Sequence, residues 1–194
     1  MAMEYPREFI AEADVPGARL PLLQHLVETY ASETNKTAAA WSELRDDQLE
    51  FRVHPRSQSV RGILDHQLLS ERRFFAEFIG LTEPRAEEIL PGSGAGVGAY
   101  VARLVELARP RLAPLAAGDE GFWLAEVPFF DVRRQRIWVF WRRVLHTAHH
   151  RAQVGTALRL LEDRVPPTYG PTADVTWKGA DPTTTLDAAR RTGA

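Results

Sequence analysis

The stretch RQRIWVFWRRVLHTAHHRAQVGTALRLL, residues 134–161, decides the fold class of this chain. Positions of core type recur along it at steps of three or four residues, as one face of an α-helix requires. These positions are Val139, Arg143, His146, His150, Val154, Ala157 and Leu161. The stretch therefore predicts a long helix whose inward face carries two histidines four residues apart.

Three earlier segments show the same periodicity. They are residues 20–44, 60–79 and 97–115. Ser59 is the expected N-cap of the second helix and Gly80 its stop, and Pro110 is expected to kink or end the third helix. The connections at 81–95 and 116–132 are long, and no segment gives a convincing strand signal. We therefore predict an all-α four-helix bundle.

Composition excludes several classes of protein. The 194 residues carry a formal net charge of −2, which argues against a nucleic-acid partner. The basic run Arg133-Arg134-Gln135-Arg136 is interpreted as a solvated helix start. No stretch reaches the roughly 18 apolar residues of a membrane span, and residues 1–19 lack the apolar run of a signal peptide.

The chain contains no cysteine, which excludes disulfides and thiolate ligands of its own. This composition fits a reducing compartment, and we expect a cytoplasmic protein.

The histidine pair on the fourth predicted helix is the main functional candidate. At positions i and i+4, His146 and His150 can bind one cation, and neutral imidazole is a common ligand of zinc and neighbouring metals. The alternative is a pair of half-buried histidines hydrogen-bonded to neighbouring helices. Placing two titratable rings side by side in an apolar stripe is costly without a shared metal ion.

A third ligand would have to come from one of four remaining histidines. His25 lies opposite the apolar stripe of its helix, His54 lies in a loop, and His149 points about 100° away from its neighbour on the helix. His66 lies at the margin of the apolar face of the second helix. At that position His66 could be the third ligand of a site that opens onto a cleft, or it could equally well be an ordinary surface histidine.

Two motifs and an exit segment resemble those of the DinB-like superfamily. They are SVRGILDHQLLSE at 59–71, HTAHHRAQ at 146–153 and VPPTYG at 165–170. The resemblance covers residues 20–171, which we take as one domain between an N-terminal extension, 1–19, and a C-terminal tail, 172–194. Residues 183–187 of that tail could begin a last short helix.

The resemblance implies an up-down-down-up bundle in which His66, His146 and His150 bind one divalent transition metal ion, with zinc or nickel expected. Ala152 stands where the family usually has glycine and is expected to narrow the space beside the ligands.

The superfamily includes bacillithiol-dependent transferases and mycothiol-dependent isomerases. The resemblance therefore implies a metal-dependent thiol transferase or hydrolase acting on a small-molecule substrate. Since the chain has no cysteine, a low-molecular-weight thiol would be the cosubstrate. The alternative is a non-catalytic metal-binding stress-response bundle.

Other polar residues leave two interpretations open. Glu71 should point into the bundle, where a structural hydrogen bond is the expected role. Gln153 could orient a ligand or be a polar flank, and Tyr30 and Thr34 could line a pocket or be satisfied core residues.

Surplus aromatic residues suggest self-association. Trp138 and Trp141 lie off the inward stripe, and the preceding connection is rich in aromatics. Large exposed aromatics are typical of interfaces, so we expect a homodimer through helix faces. The alternative is that residues 116–132 fold back and cover both tryptophans within the same chain.

Overall fold

The computed structural model describes residues 9–169 and 172–174, so residues 183–187 of the tail lie outside the described part. Four long helices dominate it: α1 Gln24–Ser42, α2 Val60–Arg73, α3 Val97–Ala117 and α5 Arg136–Leu160. A π-helical segment, Phe74–Ile79, continues α2. The short helix α4, Glu120–Leu124, and the strands β1, Glu126–Phe129, and β2, Val132–Gln135, lie between α3 and α5. Single 3₁₀ turns occur at Glu12–Asp14, Pro21–Leu23, Asp46–Gln48 and Ala86–Glu88.

The directions of the helices follow from which residues meet. Helices α1 and α5 are parallel, because His25 contacts Trp141 and Thr37 contacts Arg151. Helix α3 is antiparallel to α1, because Tyr30 contacts Arg111 and Asp46, just beyond α1, contacts Val97. Helix α2 is antiparallel to α5, because His66 contacts His150 and Ser70 contacts Arg143. The four helices therefore run up, down, down and up, and the expected bundle is confirmed.

Local signals at the ends of α2 act as the sequence predicts. The Ser59 hydroxyl accepts a hydrogen bond from the Gly62 amide, and this contact caps the first turn. Gly80 ends the π-helical segment with φ of 83°, a left-handed conformation that glycine adopts without a steric penalty.

Pro110 does not end the third helix, so of the two expected outcomes, a kink or a stop, the stop is excluded. α3 continues through Pro110 and Pro114 to Ala117. Beyond Pro110, Leu112 and Leu115 are 3% and 1% exposed. Their burial in the core stabilises the last turns and offsets the hydrogen bonds that the prolines cannot make.

The expectation of no strand fails in the connection before α5. β1 and β2 form an antiparallel hairpin, with Glu126 opposite Gln135 and Phe129 opposite Val132. Helix α5 consequently begins at Arg136, and the basic run lies largely in an exposed strand rather than at a helix start. The hairpin is a small addition to a helical bundle.

The connection also covers the core. Trp123 on α4 is 1% exposed and packs edge-on against Phe140, with ring centroids 5.7 Å apart. Phe129 packs against Trp138, which remains 43% exposed. Residues 116–132 therefore cover part of the aromatic surface within the same chain, which was the alternative to a homodimer.

A buried charge cluster joins α1 and α5 to the segment that follows α5. The Glu33 carboxylate pairs with Arg151 at 2.7 Å and with Lys36 at 2.9 Å, and it accepts a hydrogen bond from the Tyr169 hydroxyl at 2.6 Å. Glu33 and Arg151 are 5% and 4% exposed. Each cation of the cluster is paired with the Glu33 carboxylate, and this pairing makes the burial tolerable.

No helix in the described part of the chain combines the length and the apolar character needed to cross a membrane.

Candidate metal centre

Three histidines meet where α2 crosses α5. His66 lies about two turns into α2, and His146 and His150 lie one turn apart on α5. The Nε2 atom of His146 is 3.5 Å from Nε2 of His66 and 3.2 Å from Nε2 of His150. A potential ligand atom of each ring lies within 4.8 Å of the other two, and no Asp or Glu of the described residues joins this group.

These separations fit a shared metal ion. Two nitrogens bound tetrahedrally to zinc at about 2.0–2.1 Å lie about 3.3 Å from each other. The measured 3.2 and 3.5 Å bracket that value. Three imidazoles, with no further protein ligand grouped with them among the described residues, are a donor set that suits zinc or nickel and leaves coordination positions open.

Gln153 orients His150. The Nδ1 atom of His150 lies 2.8 Å from Oε1, the side-chain amide oxygen of Gln153, which can only accept a hydrogen bond. Nδ1 therefore carries the proton, and the Nε2 lone pair is free to face the other two rings. Of the two roles left open for Gln153, the orienting role is the one that this geometry supports.

His146 has a different second partner. Its Nδ1 atom lies 2.9 Å from a guanidinium nitrogen of Arg143, which can only donate. The neutral ring then carries its proton on Nε2, which can donate to Nε2 of His150. Binding a metal through Nε2 would require His146 to exchange this tautomer for the other one and to release Arg143. Arg143 retains Ser70, Glu71 and the carbonyl of Gln67 as acceptors.

The environment favours neutral rings, as metal binding requires. Burial and the positive charge of Arg143 lower the pKa of His66 below its usual value and lower that of His146 to about 3. Burial also lowers the pKa of His150. All three side chains are nevertheless partly exposed, so the site is accessible from solvent.

A buried ionic network supports the site from inside the bundle. Glu71, 4% exposed, accepts hydrogen bonds from Tyr30 at 2.7 Å, Arg111 at 2.7 Å and Arg143 at 3.0 Å. Arg111 also makes a two-point contact with Glu83 at 2.7 and 2.6 Å. Despite burial, the two guanidinium groups keep the pKa of Glu71 below its usual value. The expected structural role of Glu71 is confirmed, whereas its arginine partners were not predicted.

The inward face of α5 was predicted only in part. Four of the predicted positions are buried: Val139, Arg143, Val154 and Ala157. Thr147 and Arg151, at 7% and 4% exposure, are buried as well, whereas His146 and His150 lie at the margin of that face. A hydrophobic pattern does not show that Arg151 can be buried, which is possible because the Glu33 carboxylate pairs with it.

Comparison with known proteins identifies the family. The sequence profile of the DinB superfamily matches residues 29–154, well over half of the chain. The chain belongs to the DinB superfamily. The match includes the three histidines and lies inside the domain predicted at 20–171, whose boundaries stay predictions.

Solved structures of DinB-like proteins share the fold. One from Bacillus cereus ATCC 10987 has a TM-score of 0.64 and 17% identity, covering 74% of this chain and 95% of its own. Another from Bacillus subtilis has a TM-score of 0.57 and 15% identity, covering 71% of this chain and 92% of its own. At such identities the likeness shows the fold alone. No protein with a curated description matches the sequence.

The other candidate residues do not join the three histidines. His25 and His54 are exposed, and His149 contacts Gln153 from the surface. Tyr30 and Thr34 are satisfied core residues, since the Thr34 hydroxyl donates to the Tyr30 carbonyl.

Ala152 does not line the histidine site. It borders a groove of about 440 Å³ on another side of α5, together with Arg151 and Tyr169. The narrowing beside the ligands that was expected from Ala152 is therefore not found.

Proposed function

We propose that the protein binds one divalent transition metal ion, zinc or nickel, with His66, His146 and His150. We further propose that it uses the ion as a thiol transferase or hydrolase acting on a small molecule. The observation that carries the proposal is the convergence of the three Nε2 atoms at 3.2 and 3.5 Å. An ion held by three histidines acidifies the water or thiol that it binds and so supplies a nucleophile near neutral pH.

The residues around the group support this function in separate ways. Gln153 holds His150 with its Nε2 lone pair turned inward. The lowered pKa values of the rings keep them neutral at physiological pH, so protons do not compete with the metal ion. Partial exposure leaves room for a ligand from solution. Because the chain has no cysteine, a thiol would have to enter as a cosubstrate.

The decisive experiment has two steps. Protein purified without a histidine tag is subjected to elemental analysis, and His146→Ala is the matched control. One equivalent of metal in the native protein and none in the variant is the expected result. Thiol-transfer and hydrolysis assays with several small thiols and esters then follow. Metal bound without turnover of any thiol or ester would favour the non-catalytic stress-response alternative.

A further inference from the structure

Helix α5 carries five arginines and no carboxylate. Four of them have acceptors. Arg143 pairs with Glu71, Arg151 with Glu33 and Arg159 with Asp174, and Arg136 donates to the Phe122 carbonyl. The fifth, Arg142, is exposed and has no acceptor among the described residues.

Arg142 lies beside the histidine group. It precedes His146 by four residues, so the two side chains share a helix face with Cβ atoms about 5–6 Å apart. The carboxylate next to His66 is directed elsewhere, because Asp65 accepts a hydrogen bond from Tyr100 on α3.

Apolar side chains flank Arg142 on the same surface. Trp138, four residues before it, is 43% exposed, and Leu145, three residues after it, is 65% exposed. Leu69 on α2, 36% exposed, lies one turn from His66. A cation between exposed apolar groups, one helical turn from three converging imidazoles, can bind a small molecule at two points.

We infer that Arg142 binds the anionic group of a small substrate or cosubstrate whose reacting atom lies at the three histidines. This inference rests on the proposed function. The spacing of one helical turn assigns the ligand to a class: short compounds with a carboxylate or phosphate a few bonds from the thiol or acyl group that reacts. Arg142 is then a specificity-determining residue.

The test uses protein loaded with Co(II), whose visible spectrum reports ligand binding without turnover. The probes form two pairs that differ in one carboxylate: 3-mercaptopropionate with 3-mercaptopropanol, and succinate with propionate. Arg142→Gln is compared with Arg56→Gln, which removes an exposed arginine in the loop before α2. Both variants change the net charge equally, so a general charge effect would appear in both.

We expect the native protein to bind the compound with the added carboxylate about fivefold more tightly, as one exposed ion pair allows. The preference should disappear in Arg142→Gln and persist in Arg56→Gln. An unchanged preference in Arg142→Gln, or an equal loss in both variants, would overturn the inference.

The same experiment separates the inference from the proposed function. If neither thiol gives a thiolate-to-cobalt absorption band, the proposed thiol chemistry is refuted. The ratio of the succinate and propionate affinities then tests Arg142, because the preference for succinate should disappear in Arg142→Gln and persist in Arg56→Gln. If Co(II) does not bind at all, both proposals are refuted.

Discussion

Glu71→Gln is a substitution for which the structure predicts a large loss of stability. It keeps the shape of the side chain and removes the only carboxylate that pairs with Arg143 in the described part of the chain, while Arg111 keeps Glu83. Arg143 is 2% exposed and would retain only neutral acceptors. Removing one partner of a buried ion pair costs about 3–5 kcal/mol. The neutral acceptors of Arg143 favour the lower end, about 3 kcal/mol.

The matched control is Glu77→Gln in the segment that continues α2. Glu77 pairs with Arg73, and their side chains are 46% and 53% exposed, so its loss should cost less than about 1 kcal/mol. Urea unfolding at pH 7 with chelator present measures both free energies. A loss of about 3 kcal/mol corresponds to a melting temperature lower by roughly 6–12 °C in a protein of this size.

Two outcomes would refute the reasoning. One is a Glu71→Gln protein as stable as the Glu77→Gln control. The other concerns the double variant Glu71→Gln, Arg143→Met, in which the unpaired charge is also absent. This variant should be at least as stable as Glu71→Gln, and a much larger loss would show that charge balance is not the cause.

Four further predictions concern the histidine group and self-association. Chelator should lower the melting temperature of the native protein and leave that of His146→Ala unchanged, because an ion that bridges α2 and α5 stabilises only the folded state. If scanning calorimetry shows the same chelator effect in both proteins, the bridge is excluded. Gln153→Ala should weaken metal binding by about tenfold to a hundredfold in chelator competition, since His150 loses its orienting partner. Without metal, stability should fall as the pH decreases from about 6.5 towards 3, because the lowered histidine pKa values make the folded state bind fewer protons than the unfolded state. A urea concentration at the unfolding midpoint that does not change over this pH range would contradict the prediction. Light scattering should show a homodimer through the exposed surface at Trp138, and a mass of 21.8 kDa would mean a monomer.

The parts of the fold that follow from local signals could be predicted from the sequence. Helical periodicity, the Ser59 cap and the Gly80 stop depend on neighbours within a few residues. The hairpin could not be predicted, because each strand has four residues and Pro128 lies within the first. Neither strand is long enough to show an alternating pattern above the background.

The site was predicted only in part from the residues themselves. The i, i+4 spacing predicted that His146 and His150 share a face, whereas the register between α2 and α5 decides whether His66 reaches them. That register is a tertiary property, and the family resemblance supplied it. The arginine partners of Glu71 lie 40 and 72 residues away in sequence, and a local pattern does not show which side chains meet across such separations.

The cluster around Glu33 has a consequence for how this sequence can diverge. Glu33, Lys36, Arg151 and Tyr169 come from two helices and an exit segment, and replacing one of them leaves a charge or hydroxyl in a place with little water. Tolerated changes should therefore come in combinations, and a relative without the glutamate should also have replaced the buried arginine, which would otherwise lose its carboxylate partner. Such paired substitutions would give a criterion for aligning α1 and α5 of distant relatives, where overall identity is too low to set the register.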